Sequence, residues 1–187
     1  TRPPIWRQLL VPAELTLAQL HDVLQVAMGW QECHLHEFVA GGRHFGRPDP
    51  EDRAMGMYVE DERRVRLSNV FHKIRAKIIY TYDFGDSWEH SIVLQKCLPA
   101  APNIPYPICM DGQLACPPED CGGIGGFYDL LDALRDPQHE EHKELKDWVG
   151  DDYDPEAFSI EAVNPILTRL LPRRSRRPSR GAGAAAR

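Results

Sequence analysis

The segment from Ile74 to Leu94 alternates large apolar and polar residues on both sides of a short turn, and this pattern restricts the possible folds most strongly. The turn lies at Gly85-Asp86. Residues two apart in a strand share one face of the sheet. The large residues that do so are Tyr80, Tyr82 and Phe84 in the first arm, and Trp88, His90, Ile92 and Leu94 in the second. The pattern predicts an antiparallel hairpin at the centre of a sheet.

Other segments predict the remaining elements of an α+β fold. Thr16 is suited to cap a helix that extends to Met28, and Gly29 is suited to end it. Further strands are predicted at Ile5–Val11, Leu35–Ala40 and Arg43–Phe45, and further helices at about 127–135, at 138–149 and from Pro155. Residues 47–62 and the segment 98–126, which is rich in Pro and Gly, read mostly as loops. We therefore predict a single α+β domain over residues 1–171, in which helices pack on an antiparallel sheet.

Charge is distributed unevenly along the chain. Residues 172–187 contain six Arg and no acidic residue, and they are rich in Gly, Pro, Ser and Ala, so we predict a disordered basic tail. The rest of the chain has 16 basic and 28 acidic residues, a net charge of −12. Such a body repels phosphate backbones. Any contact with nucleic acid is therefore expected to be non-specific, salt-sensitive and made through the tail.

Neither a membrane segment nor a secretory signal is visible in the sequence. No run reaches the roughly 18 apolar residues that a transmembrane helix requires. No basic segment followed by an apolar one opens the chain. We therefore expect a cytoplasmic protein that has no membrane partner.

Three of the five cysteines fall within thirteen residues, in a C-x6-C-x4-C arrangement. An odd number of cysteines in a chain of 187 residues argues against a disulfide scaffold. Thiolates at such a spacing are candidate zinc ligands, and a neighbouring histidine would complete four-coordination. The predicted ligands are Cys109, Cys116, Cys121, His36 and His90, with His34 as a further candidate. The alternative is that the cysteines only pack a rigid, proline-containing loop.

Two further segments could carry chemistry. Asp83 and Asp86 flank the hairpin turn, where they could hold a metal ion or instead bond to turn amides, as Asx residues usually do. Residues 122–126 supply four glycines just before a predicted helix, and their free N–H groups could cradle an anion. This glycine segment lacks the Lys and Ser/Thr of a P-loop, so its signal is weak.

Several strings together resemble one protein family. They are Pro4-Ile5-Trp6-Arg7, Leu17-Ala18-Gln19-Leu20-His21, Met28-Gly29-Trp30, His34-Leu35-His36, Tyr82-Asp83-Phe84-Gly85-Asp86-Ser87-Trp88-Glu89-His90 and Cys116-Pro117-Pro118-Glu119-Asp120-Cys121-Gly122-Gly123. The chain resembles, over about residues 3–165, the plasmid Ri open-reading-frame-three-like proteins of plasmids and insertion elements, which are often labelled TnpR-type resolvases. The resemblance implies an α+β fold with an antiparallel sheet, and no known reaction.

Resolvase chemistry itself is poorly supported by the residues. A serine recombinase needs a nucleophilic Ser among several Arg that neutralise the scissile phosphate. The serines before the tail are Ser68, Ser87, Ser91 and Ser159, and Ser87 lies in an acidic turn. No helix with a basic face follows that could read DNA. Recombinase catalysis by this chain is therefore not expected.

Two functions remain open, besides a purely structural role. The first is a non-enzymatic binding or accessory module of mobile-element origin, whose partner is a protein or nucleic acid. The alternative is a metal-dependent enzyme that uses the cysteine loop, His34/His36 and the Asp83/Asp86 turn.

Overall fold

A computed structural model describes residues 1–50, 56 and 58–170 of the chain. The elements are β1 (Trp6–Leu10), α1 (Leu17–Met28), β2 (His36–Ala40), β3 (Arg43–Gly46), β4 (Val59–Asp61), β5 (Lys77–Tyr82), β6 (Trp88–Val93), β7 (Ile108–Gln113), α2 (Gly123–Arg135), α3 (His142–Val149) and α4 (Ile160–Leu170). Short 3-10 turns cover Glu62–Arg64 and Leu67–Asn69. The predicted basic tail, 172–187, lies outside the described residues, so its contact with nucleic acid stays a prediction.

Two sheets confirm the predicted α+β class. The larger sheet has the order β4-β3-β2-β5-β6, in which β3 and β4 are parallel and the other pairs antiparallel. The smaller sheet pairs β1 with β7. The predicted hairpin forms β5 and β6, but it does not lie at the centre of the sheet, because β5 is inside the sheet and β6 is an edge strand. Among the described residues, no helix combines the length and apolar character needed to cross a membrane.

Helix α1 begins and ends where the sequence predicts. The Thr16 side chain accepts a hydrogen bond from the Gln19 amide, and the Gln19 side chain accepts one from the Thr16 amide. This reciprocal capping box satisfies two amides that a helix start otherwise leaves free. Gly29 ends the helix at φ +89°, in the left-handed region that glycine enters without a steric penalty. The buried face of α1 includes Leu17, Leu20, Val23 and Leu24.

Several predicted boundaries are wrong. The last helix begins at Ile160, not at Pro155, because the Asp154 carboxylate accepts from the Glu156 amide and closes an isolated turn instead. Residues 98–126 contain strand β7, and residues 47–62 contain strand β4. Phe84 does not share the buried face of Tyr80 and Tyr82, because β5 ends at Tyr82 and the turn leaves the Phe84 ring 53% exposed.

A polar cluster lies inside the core between α1 and the larger sheet. The His21 ring of α1 stacks on the His36 ring of β2, with centroids 3.5 Å apart. His36 Nε2 lies 2.8 Å from Glu62 Oε2, and His21 Nδ1 lies 2.8 Å from the Tyr80 hydroxyl. We call His21, His36 and Glu62 the histidine stack; all three are buried. Burial, together with the neighbouring His36 and Arg47, lowers the pKa of His21 to about 3, so the ring is neutral at neutral pH.

The first prediction concerns the packing of the hairpin. Trp88 is 5% exposed in the core, so Trp88→Ala is expected to lower the free energy of unfolding by about 3–5 kcal/mol. Phe84→Ala, in the same turn region but on the surface, is the matched control and is expected to cost less than about 1 kcal/mol. Urea titration of both variants measures the difference. Equal losses in the two variants would contradict this packing.

A second prediction concerns His21 and pH. The pKa of an unfolded histidine is about 6.5, whereas the folded value is about 3, so between these pH values the unfolded chain binds more protons. The contribution of His21 to the free energy of unfolding is therefore complete above about pH 6.5. It decreases as the pH falls, and at pH 5 it is lower by about 1–2 kcal/mol.

Unfolding free energies at pH 7 and pH 5 test this prediction. The loss of unfolding free energy from pH 7 to pH 5 should be smaller in His21→Asn than in the wild type, by about 1–2 kcal/mol. It should not change in His72→Asn, because His72 is exposed. An unchanged difference in His21→Asn would contradict the prediction.

Candidate metal centre

Three segments distant in sequence bring one imidazole and three carboxylates together. His34 precedes β2, Asp83 follows β5, and Glu119 and Asp120 lie in the loop between β7 and α2. His34 Nε2 lies 3.7 Å from Asp83 Oδ2, 3.4 Å from Glu119 Oε2 and 3.1 Å from Asp120 Oδ1. We call these four residues the acidic histidine site.

Asp83 is fixed by its turn, with one carboxylate oxygen left over. Its Oδ1 accepts from the Gly85 amide at 2.9 Å, the turn bond considered in the sequence, and its own amide donates to the Leu35 carbonyl at 2.9 Å. The backbone of Asp83 has φ +57°, a left-handed conformation that Asp tolerates better than most residues. Since Oδ1 is used by the turn, Oδ2 is the oxygen that faces His34.

Glu119 is held by the buried Tyr82 hydroxyl, which donates to its carboxylate at 3.0 and 3.1 Å. The Gln31 amide donates to Glu119 Oε1 at 2.7 Å, and the Cys33 amide donates to the Tyr82 oxygen at 3.0 Å. Burial and the Glu119 carboxylate raise the pKa of Tyr82, so the phenol stays a proton donor. The Trp30 indole N–H donates to the Pro117 carbonyl at 3.0 Å and holds the same loop. The position of the loop is therefore fixed by two aromatic side chains.

The imidazole of His34 is the unsatisfied group of this site. Its Nε2 atom is buried and forms no hydrogen bond within the part of the chain that the structure describes, although three carboxylates surround it. A buried polar atom without a partner costs free energy. Ligand atoms of His34, Asp83 and Asp120 all lie within 4.8 Å of one another, a geometry that can hold a metal ion. The Asp120 side chain is 71% exposed, so the site opens to solvent on that side.

The three cysteines predicted as metal ligands pack on the hydrophobic core. Cys109 is buried on β7, where the Asn164 side chain bonds both its amide and its carbonyl, at 2.7 and 2.9 Å. Its thiol contacts the Asp111 carbonyl, and the Cys121 thiol contacts the Gly123 carbonyl. Burial raises the pKa of Cys109 and Cys116, and raises that of Cys121 to about 12, so all three are neutral thiols at neutral pH.

The two predicted histidine ligands are also engaged elsewhere. His36 lies in the histidine stack, bonded to Glu62. His90 Nδ1 donates to the Trp88 carbonyl at 3.1 Å, since a carbonyl oxygen can only accept. Among the described residues, no three of the five predicted ligands Cys109, Cys116, Cys121, His36 and His90 come within 4.8 Å of one another. His34, the further candidate, does not lie on the same strand as His36, because β2 begins at His36.

Asp86 has a different role from Asp83. Its Oδ2 accepts a hydrogen bond from the Gly122 amide at 3.1 Å. The Asp86 carboxylate therefore occupies one of the N–H groups of residues 122–126 that could have bound an external anion. A Cβ added at Gly123 would lie 2.6 Å from the Asp86 carbonyl oxygen. The close contact between the hairpin turn and the start of α2 therefore requires glycine. This contact connects the turn that carries Asp83 to the loop that carries Asp120.

Sequence reasoning identified the three segments of the site but not all of its donors. Neither Glu119 nor Asp120 was predicted as a metal ligand. The available signal was two consecutive acids after Pro117-Pro118 and between two cysteines. Their approach to His34 depends on the Tyr82 and Trp30 hydrogen bonds, which no local pattern encodes.

Comparison with known proteins agrees with the resemblance seen in the sequence. Residues 1–162 match the model of the plasmid pRiA4b ORF-3-like protein family. The chain is 39% identical over 180 residues to the uncharacterized protein y4hQ of Sinorhizobium fredii (strain NBRC 101917 / NGR234), covering 95% of this chain and 91% of that protein. It is similar to the crystal structure of MM3350, a protein of unknown function from Methanosarcina mazei Go1, with a TM-score of 0.79 and 35% identity over 88% of this chain and 92% of that one. The chain therefore belongs to the plasmid pRiA4b ORF-3-like family.

Proposed function

We propose that this protein binds a divalent metal ion at the acidic histidine site, and that its function depends on this ion. His34 Nε2, Asp83 Oδ2 and Asp120 Oδ1 are the proposed ligands. The observation that carries the proposal is that the buried Nε2 atom faces three carboxylates and forms no hydrogen bond within the described residues. A cation at this point would satisfy the imidazole lone pair and the carboxylates at once.

The donor set favours zinc or manganese. One imidazole nitrogen and two carboxylate oxygens suit Zn²⁺, and they also suit harder first-row ions such as Mn²⁺. Zinc was the expectation from the sequence, but the proposed ligands are now carboxylates rather than thiolates. Glu119 would support the site, because Tyr82 and the Gln31 amide fix its carboxylate beside the His34 ring.

The proposed centre would be open, which favours a metal-dependent enzyme over a structural zinc site. Three protein ligands leave at least one coordination position for water or a substrate, whereas structural zinc sites are closed by four protein ligands. The exposed Asp120 side chain gives access from solvent. A bound metal ion would acidify such a water and make it a nucleophile for hydrolysis. The other sequence-based expectation, a non-enzymatic binding or accessory module with a protein or nucleic-acid partner, stays a prediction.

Calorimetric titration with Zn²⁺ and Mn²⁺ tests the proposed ligands. His34→Ala and Asp83→Asn are each expected to weaken binding at this site by about tenfold or more, since effects of that size already follow from changing groups that only support ligands. Bound metal should also raise the thermal midpoint of the wild type by more than that of His34→Ala.

Two controls make the result specific. His44→Ala removes a surface histidine that pairs with a carboxylate, Glu37, at 3.0 Å, and it should leave metal affinity unchanged. Cys121→Ser removes a thiol of the originally predicted zinc site, and it should also leave affinity unchanged. Weaker binding in Cys121→Ser together with normal binding in His34→Ala would overturn the proposal and support the cysteine site. Absence of saturable binding in the wild type would overturn both.

A further inference from the structure

A second set of possible metal ligands lies at the solvent end of the histidine stack. The His21 imidazole and the Asp22 and Glu32 carboxylates each offer a ligand atom, and these atoms lie within 4.8 Å of one another. None of these residues belongs to the acidic histidine site. The Tyr82 ring is near a histidine of each group, 6.4 Å from the His21 ring and 5.8 Å from the His34 ring.

His21 supplies the observation that a cluster of acids alone would lack. Its side chain is 2% exposed, and its Nε2 atom has no hydrogen-bond partner in the described part of the chain. The nearest carboxylate oxygen, Glu32 Oε1, is 3.7 Å away, which is too far for a hydrogen bond. A buried nitrogen therefore points at carboxylates without bonding to them.

The orientation of the His21 ring is fixed on its other sides. Its face stacks on His36, and its Nδ1 lies 2.8 Å from the Tyr80 hydroxyl, which also accepts from the Gln25 side chain at 3.1 Å. When Nδ1 carries the hydrogen and donates to Tyr80, Nε2 keeps a lone pair. Metal-binding histidines are commonly arranged in this way, with the second ring nitrogen donating to a fixed acceptor.

Arg47 already brings a positive charge to this cluster. Its guanidinium donates to Glu32 Oε1 at 2.8 Å and lies 4.0 Å from Glu62 Oε1. The Arg47 side chain is 64% exposed, so it can leave without uncovering the core. An exposed ion pair of this kind contributes little free energy, which makes it a replaceable partner for Glu32.

We infer that His21, Asp22 and Glu32 form a second divalent-cation site, and that the Arg47 guanidinium competes with the ion for Glu32. The site would take a Zn²⁺ or Mn²⁺ ion through one nitrogen and two oxygens. It does not depend on occupancy of the acidic histidine site, because the two sites share no ligand.

Mn²⁺ binding to the full chain, measured by equilibrium dialysis and by the loss of the free-ion electron paramagnetic resonance signal, tests the inference. The wild type is expected to bind two ions. Glu32→Gln should lose one ion and keep the one that depends on His34, whereas His34→Ala should do the opposite. Arg47→Gln should bind the second ion about thirtyfold more tightly at low ionic strength, the expected effect in water of removing one positive charge about 4 Å from a divalent ion.

The control is Arg64→Gln, which removes another exposed arginine that lies near a carboxylate, Asp61, and should leave both ions unchanged. Far-UV circular dichroism establishes that each variant is folded. One ion that is lost only in His34→Ala would overturn this inference and leave the proposed function standing. One ion that is lost only in Glu32→Gln would support this inference and overturn the proposed function. Unchanged affinity in Arg47→Gln would overturn the competition by Arg47.

Discussion

Two buried phenols on strand β5 determine where the polar groups of this protein lie. Tyr80 and Tyr82 are both fully buried on one face of the strand, and a buried hydroxyl without a hydrogen bond is costly. Tyr80 contacts His21 and Gln25 of α1, so it fixes the polar side of that helix. The Tyr82 hydroxyl accepts a hydrogen bond from the Cys33 amide and donates one to the Glu119 carboxylate, so it joins two loops from distant parts of the chain. Each phenol therefore organises one group of polar residues around itself.

The spacing of the strand keeps these two groups apart. Alternate residues of a strand are about 6–7 Å apart, so the hydroxyls of Tyr80 and Tyr82 cannot serve one common site. In the group around Tyr80, His21, His36 and Glu62 are nearly inaccessible to solvent, and Glu32 at the edge of the group is half-exposed. The group around Tyr82 is open through Asp120. Two similar sets of donors therefore differ in how easily water and solutes reach them.

The sequence predicted local features well and long-range contacts poorly. The N-cap at Thr16, the glycine that ends α1 and the Asp83 turn bond follow from neighbouring residues, and each is present. Strand β7 was missed because proline and glycine dominate residues 98–126, whereas the strand is stabilised by pairing with β1 about a hundred residues earlier. The Asn164 bonds to Cys109 are equally non-local.

The grouping of possible ligands is equally non-local. Cysteine was favoured by residue type, and in the structure the thiols of Cys109 and Cys121 lie against backbone carbonyls. The acids between the cysteines are instead the residues that the tertiary contacts direct to His34. The histidines show the same effect, since His34 reaches the carboxylates while His36, two residues later, enters the core as part of β2. The sequence indicated which segments contribute to the site, but it did not indicate which side chains of those segments face one another.

The hydrogen bond from the Gly122 amide to Asp86 has a consequence for ligand selectivity. The first turn of a helix, with its unpaired amides and positive dipole end, attracts phosphates and other anions. At the start of α2 the protein supplies its own anion, because the Asp86 carboxylate accepts from that amide. A phosphorylated molecule would have to displace a covalently attached competitor whose effective concentration is very high. The Asp86 carboxylate therefore disfavours phosphate esters at this helix start, because it occupies one amide and repels a second negative charge.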